Sequence, residues 1–136
     1  MTSHETSSEY LLLIRGTDWH QRLSPEEVHQ NIARFTAWAE RLRKAGKVKS
    51  ARPLVHEGKI VVGRDSVTDG PFNESKEAIA GFFVILTRDL EEALQIAREC
   101  PGLDYGQTVE VREIASEAGE LKPTREKERT RAQQRA

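Results

Sequence analysis

The chain has 136 residues, with 21 Lys and Arg against 22 Asp and Glu. That supports one domain with a real core and lacks the basic excess of a dedicated nucleic-acid binder. A single cysteine, Cys100, excludes an intrachain disulfide framework and a Cys-rich zinc site.

No apolar run approaches the roughly 20 residues that a bilayer-spanning helix needs. Residues 1–9 are polar and acidic where a signal peptide is basic and then apolar, so a cytoplasmic location is expected. Tyr10, Leu11, Leu12, Leu13 and Ile14 form a short apolar run that reads as a strand buried on both faces. Ser24-Pro25-Glu26-Glu27 then opens a helix: Ser24 caps, Pro25 suits the first turn, and Glu27 completes a capping box. Val28, Ile32, Phe35, Ala39 and Leu42 give this helix an apolar stripe, and Trp38 beside it is expected to cover a helix–sheet or subunit edge. Arg41, Arg43 and Lys44 complement the C-terminal dipole, and Gly46 permits a left-handed exit.

Strands are expected at 48–55 and 59–63, joined as a hairpin through a Glu57-Gly58 turn. Residues 81–87, aromatic and β-branched, form the strongest strand pattern. A second helix starts at Asp89, with Glu92 placed for another capping box. Its predicted inner face is Leu90, Ala93, Leu94 and Ala97, and Cys100-Pro101-Gly102 ends it. The last strand, 108–114, alternates Val109 and Val111 against Glu110, Arg112 and Ile114.

This order predicts an α+β, ferredoxin-like antiparallel sheet with two helices on one face. The other face carries apolar side chains without cover, which predicts a homodimer through the sheet. Residues 10–116 form the expected domain, flanked by a flexible 1–9 and a charged, disordered 117–136. That tail carries +2 against −3 for the rest of the chain.

The least generic stretch is Asp69-Gly70-Pro71-Phe72, followed by Glu74, Lys76 and Glu77. Gly70 and Pro71 make a turn, and Phe72 can anchor it. Carboxylates beside an ammonium can bind a polar ligand or move a proton, or they can simply be solvated charges on a rigid turn. Arg15, Asp18 and Trp19, after the first strand, offer an anion or aromatic contact, or a lid on the core. His4, His20, His29 and His56 lack metal-ligand spacing, so no metal and no cofactor is expected. Cys100 sits at a helix C-terminus and reads as inert packing. The basic residues between Arg41 and Arg52 read as helix-end complementation rather than a nucleic-acid site.

The Asp69-Gly70-Pro71-Phe72 run resembles the DGPF group of the YCII-related family. The likeness extends over Arg15-Gly16-Thr17-Asp18-Trp19, Ser24-Pro25-Glu26-Glu27, Gly81-Phe82-Phe83, Cys100-Pro101-Gly102-Leu103 and Val109-Glu110-Val111-Arg112. It implies a dimeric α/β-barrel and, for the YciI-type relatives, a His–Asp pair in a pocket. The histidine of that pair falls on Phe35 here, which leaves Asp69 without an imidazole partner.

Two functions follow as expectations. The first is a homodimer binding a small polar or anionic molecule near the DGPF loop, with acid–base activity if it is an enzyme. Asp69 would be the catalytic carboxylate, and Arg15, Asp18, Trp19, Gly70, Pro71, Phe72, Lys76 and Arg112 would form the binding set. The second is a regulatory module, such as a partner of an extracytoplasmic-function sigma factor.

Overall fold

The computed structural model describes residues 7–70 and 77–116. The elements run β1 (Ser8–Arg15), α1 (Pro25–Lys44), β2 (Val48–Pro53), β3 (Lys59–Gly63), β4 (Ser66–Asp69), β5 (Ile79–Thr87), α2 (Leu90–Arg98) and β6 (Thr108–Glu113). Short 3₁₀ turns at Trp19–Arg22 and Pro101–Tyr105 complete them.

Four strands form an open antiparallel sheet in the order β2-β5-β1-β6, not closed into a barrel. With α1 and α2 as its crossovers, this is the ferredoxin-like plan. β3 and β4 form a separate two-stranded ribbon. The expected hairpin between 48–55 and 59–63 is therefore corrected. β2 pairs with β5, and Lys59–Gly63 pairs with Ser66–Asp69. A place beside the central, apolar β5 gives Ala51 a buried neighbour in Phe83, which the exposed Lys59–Gly63 segment cannot offer.

The period of two along β1 sets the core. Tyr10, Leu12 and Ile14 are buried, and across the ladder so are Phe83 and Ile85. Helix α1 starts as read: Ser24 Oγ accepts from Glu27 N at 3.1 Å, and Glu27 Oε1 accepts from Ser24 N at 2.9 Å. Gly46 leaves it with φ +72°.

The buried residues of α1 are Asn31, Trp38 and Leu42, whereas Ile32 is exposed. The stripe otherwise holds: Leu42 is buried, Phe35 and Ala39 pack against the core, Val28 is partly buried, and Asn31 takes the inner place beside the exposed Ile32. Trp38 is in the core, not at an edge, with its ring centroid 4.7 Å from that of Phe83. An indole buries more apolar area than any other side chain, so it wins the position facing the sheet centre.

Helix α2 buries Ala93, Ile96 and Ala97, while Leu90 is exposed. Asp89 caps it by accepting from Glu92 N, but the Glu92 carboxylate accepts from Arg88 N rather than closing a box on Asp89.

The opposite sheet face holds Leu11 and Leu13 of β1 beside Phe82, Val84 and Leu86 of β5. No described helix covers them, and all five are partly exposed.

Candidate functional site

A cavity of about 400 Å³ lies between α1 and the β2–β5 half of the sheet. Its walls are apolar where Ile14, Trp19, Phe35, Pro53, Leu54 and Phe83 meet, and two amide side chains, Asn31 and Gln107, interrupt that wall.

Asn31 lies one turn before Phe35 and two before Trp38, so the helical period turns it toward the sheet. It is completely buried, and neither Oδ1 nor Nδ2 has a hydrogen-bond partner. A buried polar group left unpaired costs about 1–3 kcal/mol. Native structures carry few such groups, and each one asks for a reason.

Gln107, next to β6, is held from both sides. Its Nε2 donates to the Gly16 carbonyl at 2.7 Å, which fixes the amide orientation because a carbonyl can only accept. Its Oε1 is then the free acceptor, and it too is buried without a partner. Two glycines make room for this amide. Gly16 adopts φ +112°, and a Cβ on Gly102 would stand 2.0 Å from Gln107 Oε1.

At one side of the cavity, Trp19 makes an edge contact with His20, centroids 5.8 Å apart, and His20 lies 5.6 Å from His56. Trp19 and His56 both line the cavity, and Arg43 and Arg52 border it. No acidic residue is among the described liners. The site therefore offers apolar and aromatic surface, with positive rather than negative charge at its border.

A family model of the YCII-related domain matches residues 8–117. The chain belongs to the YCII-related family. No curated protein matches it. The match covers every strand and helix described above, so the ferredoxin-like frame is the YCII-related domain itself.

Within this YCII-related domain the predicted site residues separate. Trp19 lines the cavity. Arg15 lies on the open sheet face, where Nη2 and Nε reach Glu110 Oε1 at 2.8 and 3.1 Å and Nη1 donates to the Glu77 carbonyl. Arg112 stands 3.8 Å from the other Glu110 oxygen. Asp18 precedes the 3₁₀ turn, and its carbonyl accepts from Gln21 N. Asp69 ends β4 directly across from Lys59; its carboxylate pairs with that ammonium and is 81 % exposed. Neither Asp69 nor the following Gly70 lines the cavity. Pro71, Phe72 and Lys76 lie outside the described residues.

Among the described residues, no group of three or more His, Cys, Asp or Glu could hold a metal ion. No described helix is long and apolar enough to cross a membrane. Burial pushes the Cys100 thiol up to about 11, which leaves it without thiolate character at neutral pH. Asn31 and Gln107 were missed from sequence because amides carry no catalytic signature. The available signal was a polar residue spaced with Phe35, Trp38 and Leu42.

Proposed function

We propose that this YCII-related chain is a homodimer that binds a small polar or anionic molecule in the cavity beneath α1. The observation that carries the reading is the cavity itself, about 400 Å³, apolar-walled and bordered by Arg43 and Arg52. Arg43 and Arg52 favour a neutral or anionic ligand, and the absence of carboxylates among the described liners disfavours a cation.

Binding is favoured over proton transfer. His56 is the described lining residue with an acid–base side chain, and Asp69 is exposed and paired elsewhere. Dimerisation rests on the partly exposed Leu11, Leu13, Phe82, Val84 and Leu86. It also rests on the β3–β4 ribbon, whose Val61, Val62 and Val67 are all exposed. A two-stranded ribbon is at best marginal in water and needs cover.

The test is a thermal-shift screen of small metabolites, with hits mapped by chemical-shift changes. Hits that perturb the Asn31 and Gln107 side-chain amides, and bind Asp69→Ala as well as the natural chain, support the cavity. Hits that perturb the Lys59–Asp69 ribbon and vanish in Asp69→Ala would overturn it.

A further inference from the structure

We infer that the cavity takes an aromatic carboxylate, with its flat apolar body between α1 and the β2–β5 floor and its single negative charge held at the mouth by Arg43 and Arg52. This rests on the proposed cavity site and adds the chemical class of its ligand.

The space comes from small residues. Ala51 and Pro53 of β2 lie opposite Phe83 and Gly81 of β5. Gly81 is kept small by its neighbours: a Cβ there would stand 3.0 Å from the Arg52 carbonyl oxygen and 3.3 Å from Pro53 Cα. Side chains this short leave the floor under Ile32, Phe35, Thr36 and Ala39 open. An apolar cavity of about 150 Å³ takes one benzene ring, so the present volume of about 400 Å³ has room for two fused rings. Ile32 is 53 % exposed and Leu54 42 %, and both line this cavity although they come from α1 and from the end of β2. Two large apolar side chains thus stay half in water around one opening, and a bound apolar body would cover both. Trp19, Phe35 and Phe83 add aromatic wall, which favours a flat body.

The charge follows by elimination among the described liners. The Asn31 amide atoms and Gln107 Oε1 are sealed from solvent, and so from anything in the cavity. Thr36 Oγ1 already donates to the Ile32 carbonyl at 3.0 Å. Trp19, His56, Arg43 and Arg52 remain. An indole N–H and a guanidinium only donate, so the group that answers them is an acceptor, and two cations favour a negative one. Arg43 lies one turn beyond Ala39 on α1 and contacts Glu40 at 3.2 Å. Arg52 has no ion-pair partner among the described residues. Both arginines are exposed, so the carboxylate stays hydrated at the mouth while the rings pass under α1.

The experiment compares 2-naphthoate with 2-naphthamide, its neutral counterpart of the same shape, by NMR titration of the full chain. The acid is expected to bind about fivefold more tightly at low salt. That difference should shrink as the ionic strength rises from about 0.01 M to about 1 M. Arg43→Gln combined with Arg52→Gln should erase the preference and leave the affinity for the amide unchanged. Ile32→Ser should weaken both probes alike. All three positions are exposed, so the variants are expected to fold, and the comparison of probes on the natural chain stands without them. Equal affinity for the two probes, both shifting the backbone amides of Ile32 and Gly81, would overturn the ligand class and leave the cavity reading intact. Shifts from both probes confined to residues outside the cavity would overturn both.

Discussion

Glu92→Gln tests how α2 is fastened to the exit of α1. The Glu92 carboxylate accepts from Lys47 Nζ, from Arg88 N at 2.8 Å and from Arg88 Nε at 3.4 Å, with only 15 % of its side chain exposed. The Lys47 ammonium first, and the Arg88 amide second, hold its carboxyl down from 4.5 to about 2. That difference of about 2.5 pH units corresponds to roughly 3 kcal/mol. Lys47 is 35 % exposed, and solvent screening brings the expected loss in Glu92→Gln to about 2 kcal/mol at neutral pH. The unfolded chain takes up this proton below about 4.5, and the folded one resists until about 2. The stabilisation is therefore complete above pH 4.5 and disappears as the pH falls toward 2. Urea denaturation at pH 7, 4.5 and 2.5, followed by the fluorescence of buried Trp38, reads both effects. A difference between natural and variant chains that stays constant across this range would refute an ionic origin.

Three other substitutions or probes bear on separate parts of the molecule. Gly102→Ala drives a methyl into Gln107 Oε1, so the amide must leave Gly16. We expect a loss of about 1–3 kcal/mol in denaturant melts and weaker binding of any cavity ligand, whereas an unchanged melt would show that Gln107 has another resting place. Cys100 should be inert to a thiol-reactive disulfide dye at pH 8 and react only on unfolding, because it is 3 % exposed and its thiol is raised by burial. Leu13→Glu places a carboxylate on the open sheet face and should convert a sedimenting dimer to a folded monomer. A natural chain that sediments as a monomer would end the dimer proposal.

The parts of the fold set by strong local chemistry were readable from sequence. The capping box at Ser24, the exit at Gly46 and the alternation along β1 and β5 each leave a pattern in adjacent residues. Strand partners do not, and for that reason the local pattern points Lys59–Gly63 to the wrong neighbour: a turn signal at Glu57-Gly58 is local, whereas the advantage of placing β2 against β5 comes from residues about thirty positions away.

The inner row of α1 departs from its apolar stripe at one position, for a different reason. Asn31 interrupts it, and any count of apolar residues slides to Ile32 instead. The candidate site followed from that. Its amides gain meaning only from burial, which no sequence pattern states, while the charged candidates form ion pairs at the surface. Arg15 with Glu110 and Asp69 with Lys59 are the clearest instances.

The side-by-side placement of β2 and β5 has a consequence for how this chain can vary. Pro53 faces Gly81 across the ladder, and Leu54 N donates to the Ala80 carbonyl at 2.9 Å. The β3–β4 ribbon lies between those two positions, outside the four-stranded sheet, and the chain rejoins the sheet beside the point where it left. Such a detour can lengthen, shorten or be exchanged while the frame stays closed behind it, since doubling its length costs only about 0.6 kcal/mol in closure entropy. The ribbon that ends at Asp69 is thus the part that the scaffold is freest to replace. The cavity is anchored in α1, β2, β5 and the Gln107 clamp, and most of its wall would outlast the exchange.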